Sequence, residues 1–160
     1  MIRRARPEDA EGIHAIYAPI VERTAISFET VPPTPADMEL RIASALDTHD
    51  WRVVEIDGEI AGYAYGSQHR AREAYRRSAE VSAYVHERHR GRGLAAKLYH
   101  ELFESLRERD FHSLLAGIAL PNAPSIALHR SLGFMPIGTF EEIGFKLGAW
   151  HDVSWWQRRA

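Results

Sequence analysis

Apolar positions along this chain recur with two different periods, and the switches between them outline its elements. Ile2 to Arg6 reads as a short first strand. From Pro7 on, Ile13, Ile16, Tyr17 and Ile20 fall on one face, which predicts an amphipathic helix. Thr34 followed by Pro35 supplies an N-cap and a first helical residue for a second helix. WRVVEI and EIAGYAYGS flank Asp57-Gly58, a pair that accepts the positive φ of a tight hairpin turn. SAEVSAYV, residues 78–85, alternates: Val81, Ala83 and Val85 take one face, and Glu80, Ser82 and Tyr84 the other. Leu94, Leu98, Leu102 and Leu106 then fall four apart, with Ala95, Tyr99 and Phe103 beside them. That broad stripe predicts a core-facing helix to about Arg109. SLLAGIAL, residues 113–120, is almost uninterrupted apolar, as a central strand covered on both faces would be. PNAPSIALHRSLGF reads as a short helix closed by Gly133, and Phe134–Phe140 and Lys146–Trp156 as two final strands. The order predicts an α/β (α+β) protein, a mixed sheet with helices on its faces.

Composition narrows the class without naming a function. The 160 residues carry a net charge of −2, and the pI is near 6.5. No global basic field exists to hold nucleic acid. Without cysteine there is no disulfide, thiolate metal site or Cys nucleophile. The stretch MIRRARPEDAEGI lacks the apolar core of a signal peptide, and no segment approaches the length of a membrane span. The expectation is one domain over residues 1–160, cytoplasmic, with no membrane partner.

The densest chemical signal is Arg88-His89-Arg90-Gly91-Arg92-Gly93, which lies between the predicted strand ending at Val85 and the helix beginning near Leu94. Free N–H groups at a helix start, the helix dipole and close backbone approach at glycine together make an anion site. Arg88, Arg90 and Arg92 can add charge-assisted contacts. No Lys-Ser/Thr follows the glycines, so this is not a P-loop, and the dinucleotide-binding spacing is also missing. A solvated basic loop is the alternative. His86 and His89, three apart with no third ligand close in sequence, do not make a metal site.

The six residues 88–93 resemble the R/Q-x-x-G-x-G/A signature of the GNAT N-acetyltransferases, and LHRSLGF resembles the L-Y-x-x-L-G-F of that superfamily. More particular features resemble the phosphinothricin and methionine sulfoximine N-acetyltransferases: SFET (27–30), RAREAY (70–75), AEVSAYV, PNAPSIALH and GAWHDVSWWQ, in the same order along nearly the whole chain. The resemblance implies a mostly antiparallel sheet of six to seven strands, helices on both faces, and acetyl-CoA as co-substrate without a metal. It implies a homodimer as well. By position, Gly91, Arg92, Gly93, Leu94, Ala95 and Ala96 would hold the pyrophosphate, flanked by Arg88 and Arg90. Ala83, Tyr84 and Val85 would face the cofactor arm, with Asn122 and Ser125 at its pantetheine end. Arg70, Ala71, Arg72 and Tyr75 would take the substrate's anionic groups, Phe28 would line its pocket, and Val81 and Ser82 would lie beside it. Val81 stands where many relatives have His or Ser, a departure that bears on substrate detail.

The chemistry asks for some of these residues independently. A free α-amine is mostly protonated near neutral pH, so acetyl transfer needs a base. Glu80, mid-strand beside the anion site, is the candidate; pairing with an arginine of 70–77 is its other reading. His129, flanked by Leu128 and Leu132, is either a second acid or base or a satisfied core histidine. Arg70 and Arg72, two apart in an extended loop, suit one carboxylate but also suit plain solvation. Trp150, Trp155 and Trp156 read as core or dimer interface. An anion- or nucleic-acid-binding module, or the same chemistry on a protein N-terminus, a polyamine or an antibiotic, are the competing functions.

Overall fold

A computed structural model describes residues 1–160. Its elements are β1 (Ile2–Arg4), α1 (Ala10–Arg23), α2 (Pro35–Thr48), β2 (Trp51–Ile56), β3 (Glu59–Gln68), β4 (Ser78–Val85), α3 (Leu94–Glu108), β5 (Ser113–Ala119), α4 (Ala123–Ser131), β6 (Met135–Lys146) and β7 (Ala149–Arg159). The seven strands form one sheet in the order β1-β2-β3-β4-β5-β7-β6. Every pairing is antiparallel except that of β4 with β5.

Local chemistry accounts for the boundaries. Thr34 accepts from the Asp37 N–H while Asp37 accepts from the Thr34 N–H, so α2 starts on a reciprocal capping box. Asp57 and Gly58 both take positive φ, the pattern of a type I′ turn. Leu98, Leu102 and Leu106 of α3 have no exposed surface. Each such side chain contributes about 1.5–3 kcal/mol by leaving water. They pack with Ala79 and Val81 of β4 and Leu114, Ala116 and Ile118 of β5 to form the core on one face of the sheet. The other face carries a second core, where Ile13, Ile16 and Ile20 of α1 and Met38 and Ile42 of α2 cover Trp51, Val53 and Tyr63.

The last hairpin departs from the expected pattern. β6 continues through residues 141–145, which read as a connection, and the chain turns instead at Leu147-Gly148. A bulge after Phe140 carries the strand through, with Glu142 at positive φ and its N–H held by Asp152 Oδ1 at 2.7 Å. β5 also differs: its α3 face is covered, yet Gly117 on the opposite face is exposed.

Candidate active site

The parallel pairing of β4 with β5 lasts for only three residue pairs and ends at Glu80 opposite Leu115. Beyond that point β4 stays with β3 as far as Val85, while β5 stays with β7 as far as Ala119. The two central strands therefore splay, and backbone groups of 81–85 have no strand on their open side. A narrow cleft of about 50 Å³ occupies the wedge, lined by Val81 to Tyr84, by Ala116 to Ala119, and by Asn122, Ser125, His129, Tyr99 and Ile26. Glu80 stands at its apex.

At the mouth of the wedge β4 runs into the Arg-Gly turn and α3. Gly91 and Gly93 take φ of +75° and +72°, and a Cβ on either would meet nothing within 4 Å. Glycine is thus required there by backbone conformation rather than by crowding. Gly93 caps α3 without a side-chain hydrogen bond, and no acidic residue occupies the first turn. The first N–H of the helix region with a backbone acceptor is that of Lys97, on Gly93 O at 3.2 Å. From Gly91 to Ala96 six consecutive N–H groups have no acceptor in the protein. Six free donors at a helix start suit a diphosphate in charge and spacing. Of the flanking arginines, Arg88 pairs with Glu59 at 3.1 Å, Arg90 Nε reaches Val85 O, and Arg92 lies on His89 Nδ1.

Asn122 caps α4, its Oδ1 accepting from the Ser125 N–H at 3.3 Å, which leaves its amide nitrogen for the cleft. His129 is only 5% exposed. Its Nδ1 lies 2.7 Å from the Ser125 carbonyl, which can only accept, so that nitrogen carries the hydrogen. Nε2 is then an acceptor and takes the Tyr99 hydroxyl at 3.2 Å. Burial holds the imidazole below its usual pKa, with the Ser125 contact pulling the other way. Both nitrogens are satisfied in the neutral form, the arrangement of a core histidine that also forms the cleft wall.

The acceptor side is built from loops. Arg70 and Arg72 are exposed and form no ion pair; Arg70 Nη1 donates only to the neighbouring His69 O at 3.2 Å. Ala71 is exposed between them, and Tyr75 follows in a short 3₁₀ turn. Val81 turns its side chain into the α3 core and Ser82 points to the other face of β4, and both border the cleft. Phe28 rests on Gly144, where a Cβ would fall 2.2 Å from the ring, and lies 6.2 Å from His151. The buried Lys146 secures this loop by donating to Ser27 O at 2.7 Å, and Arg41 secures it through Glu29. Near Glu80, His69 escaped the sequence reading and Trp155 was expected in the core or a dimer interface. His69 contacts the carboxylate itself, and Trp155 flanks His69, while its neighbour Trp156 is buried in the core.

A larger hollow lies elsewhere, a groove of about 800 Å³ between α2 and β3 walled by Trp51, Tyr63, Tyr65 and Met38. Its lining includes no glycine turn running into a helix start.

Residues 2–155 match the acetyltransferase (GNAT) domain family. The chain belongs to the GNAT acetyltransferases. It is 38% identical to phosphinothricin N-acetyltransferase of Streptomyces viridochromogenes, over 98% of this chain and 86% of that protein. A crystal structure of the ribosomal-protein-alanine N-acetyltransferase from Brucella melitensis superposes with a TM-score of 0.96 at 37% identity, covering 100% of this chain and 99% of that one. The GNAT phosphinothricin acetyltransferase from Sinorhizobium meliloti, solved in complex with AcCoA, gives 0.95 at 35% identity, covering 99% and 87%. This GNAT protein is an acetyl-CoA-dependent N-acetyltransferase. Its acyl donor suits the wedge and its run of free N–H groups.

Proposed function

We propose that the enzyme moves the acetyl group of acetyl-CoA directly onto the α-amine of a small amino-acid-like substrate such as phosphinothricin, methionine sulfoximine or a similar glutamate analogue. The observation that carries this reading is a continuous path. Six free N–H groups at Gly91–Ala96 lead along the wedge to a carboxylate, Glu80, with two unpaired guanidiniums, Arg70 and Arg72, on the acceptor side.

Acetyl-CoA supplies a thioester open to attack by an amine. The chain does the rest. Leu94, Ala95 and Ala96 present helix-start N–H groups to the diphosphate, with Gly91 to Gly93 completing the cradle and the Arg88, Arg90 and Arg92 side chains surrounding it. Ala83, Tyr84 and Val85 offer strand backbone to the pantetheine arm, and the Asn122 amide and Ser125 lie at its far end. Glu80 takes the proton from the acceptor amine, directly or through one water; as the nitrogen bonds to the thioester carbonyl carbon the C–S bond breaks, and CoA leaves as a thiolate that is protonated from solvent. A backbone N–H of the open β4 edge, at Ala83, faces the carbonyl oxygen as negative charge develops there. Arg70 and Arg72 grip the carboxylate or anionic tail from one side, with Ala71 and Tyr75 around it and Phe28 and Ser82 closing the pocket. His129 keeps Tyr99 in place at the cleft wall rather than serving as the acid.

A second acceptor, a protein N-terminus, is favoured by the Brucella neighbour's name. The paired arginines favour the small anionic amine instead. We infer further that residues 1–160 act as one acetyltransferase domain in the cytoplasm, where acetyl-CoA is made; no helix is long and apolar enough to cross a membrane. A homodimer fits the overhanging β6–β7 hairpin, which exposes Ile137, Phe140, Ile143, Phe145, Leu147 and Trp150.

The test is thiol release from acetyl-CoA with a panel of phosphinothricin, methionine sulfoximine, plain amino acids, an alanine-initiated peptide, spermidine and an aminoglycoside. Turnover confined to the glutamate analogues, with Arg72→Ala raising KM for the amine, supports the proposal. Turnover of the peptide alone would replace it.

A further inference from the structure

Glu80 has a partner that the acetyl-transfer scheme leaves unused. His69, the residue directly after β3, places Nδ1 3.0 Å from Glu80 Oε2. The two side chains keep only 18% and 29% of their surface exposed. An ionised carboxylate can only accept, so with Glu80 charged the hydrogen in this contact belongs to Nδ1.

The imidazole is itself held from two directions. Tyr75 meets it edge-on, with centroids 5.7 Å apart at 77°. Trp155 meets it from β7 at 6.4 Å and 66°. Trp155 lies flat against β5 because its partner across the ladder is Gly117; a Cβ at that position would sit 3.1 to 3.3 Å from the indole. One missing side chain in β5 thus makes room for the indole that walls in His69. Loop, turn and sheet all converge on the nitrogen that contacts Glu80.

We propose that His69 is a positioning residue for acetyl transfer: its Nδ1–H fixes Glu80 Oε2, so that Oε1 is the oxygen presented to the acceptor amine. This rests on Glu80 as the base. A glutamate left free samples several rotamers, few of which bring an oxygen within reach of the attacking nitrogen. Holding one oxygen selects the working rotamer before the substrate arrives, and the edge contacts of Tyr75 and Trp155 keep the imidazole from turning away. No proton leaves His69 in this role, so its hydrogen stays on Nδ1 throughout.

Two substitutions separate positioning from simple packing. His69→Phe keeps an aromatic ring for Tyr75 and Trp155 but deletes the donor. His69→Asn loses both ring contacts but places an amide N–H close to the position of Nδ1. With phosphinothricin and acetyl-CoA, His69→Phe should lower kcat by between about tenfold and about a hundredfold. KM for acetyl-CoA should stay within about twofold, since the diphosphate cradle at Gly91–Ala96 lies at the opposite end of the wedge from Glu80. His69→Asn should recover most of the loss. A packing role gives the opposite rank, with Asn the poorer enzyme, and that order overturns the proposal, as does a fully active Phe variant. Glu80→Gln measured alongside tells the two levels apart. If it is slow while His69→Phe is not, the His69 role alone falls; if Glu80→Gln turns over like the wild type, the base assignment falls and takes His69 with it.

Discussion

Alanine at Gly93 changes almost nothing except a backbone preference, which makes it a clean probe of the anion cradle. The residue sits at φ +72°, and a Cβ there has open space around it. The whole penalty is therefore the left-handed conformation, about 1–2 kcal/mol for an alanine. Gly58, in the β2–β3 turn, offers the same penalty in a different place: φ is +79° and the added Cβ is again unobstructed. What differs is how firmly each turn is held. Gly58 is clamped between two paired strands, so Gly58→Ala must pay in folding stability. The N–H groups around Gly93 have no partner in the protein, so Gly93→Ala can relax until an anion calls the turn back. The same 1–2 kcal/mol then appears as a KM for acetyl-CoA about 5- to 30-fold higher, with kcat little changed. Gly58→Ala should instead lower Tm by about 2–8 °C and leave that KM alone. Steady-state thiol release at varied acetyl-CoA, with thermal melts of the same samples, reads both quantities. If Gly93→Ala keeps the wild-type KM, or if both variants shift it equally, the cradle is not where the cofactor binds.

Gly144→Ala should act on the other substrate, because its Cβ would fall 2.2 Å from the Phe28 ring. The displaced Phe28 raises KM for the amine several-fold while KM for acetyl-CoA holds. Asp50 is fully buried between Arg4 and Arg52 at 3.0 and 2.7 Å. Burial pushes its carboxyl pKa up, but hydrogen bonds from Ser105 and Arg4 and the charge of Arg52 outweigh that and hold it below the usual range. Stability drawn from this group is complete at neutral pH and lost as pH falls below about 4. Asp50→Asn should cost about 3 kcal/mol at pH 7, or about 6–12 °C in Tm, and less at low pH. His129 behaves differently, since burial lowers its pKa and keeps it neutral. The stability it contributes is full above about pH 6.5 and is lost as pH falls below that value. Melts of wild type and His129→Phe from pH 8 to pH 5 should therefore converge on the acid side, and parallel curves would contradict this assignment.

The fold, and the strand–glycine turn–helix that carries the free N–H groups, were largely legible in the sequence. Regular periodicity marked α3 and β4, and a charged glycine turn between a strand and a helix has few other uses. The acceptor side was harder. His69 lies in QHRAREAYRR, where one imidazole among arginines carries no periodic signal, and only the β3–β4 register reveals that it reaches Glu80. Trp155 and Trp156 are adjacent and look alike in sequence, yet strand alternation sends one to the core and the other to the site. The β6 extension was hidden because Leu147-Gly148 lacks the Asn or Asp that usually announces a tight hairpin. The wedge itself follows from where the β4–β5 pairing stops, a property of two strands whose paired residues lie 35 apart in sequence and that neither segment records alone.

The measurement that bears most directly on the account is a CoA titration followed through backbone amide resonances of the ¹⁵N-labelled protein. The largest shifts should fall on Gly91, Arg92, Gly93, Leu94, Ala95 and Ala96, with smaller ones along Val81–Val85. If those amides stay still while residues around the Trp51–Tyr65 groove move, the cofactor binds on the wrong side of the sheet for this mechanism.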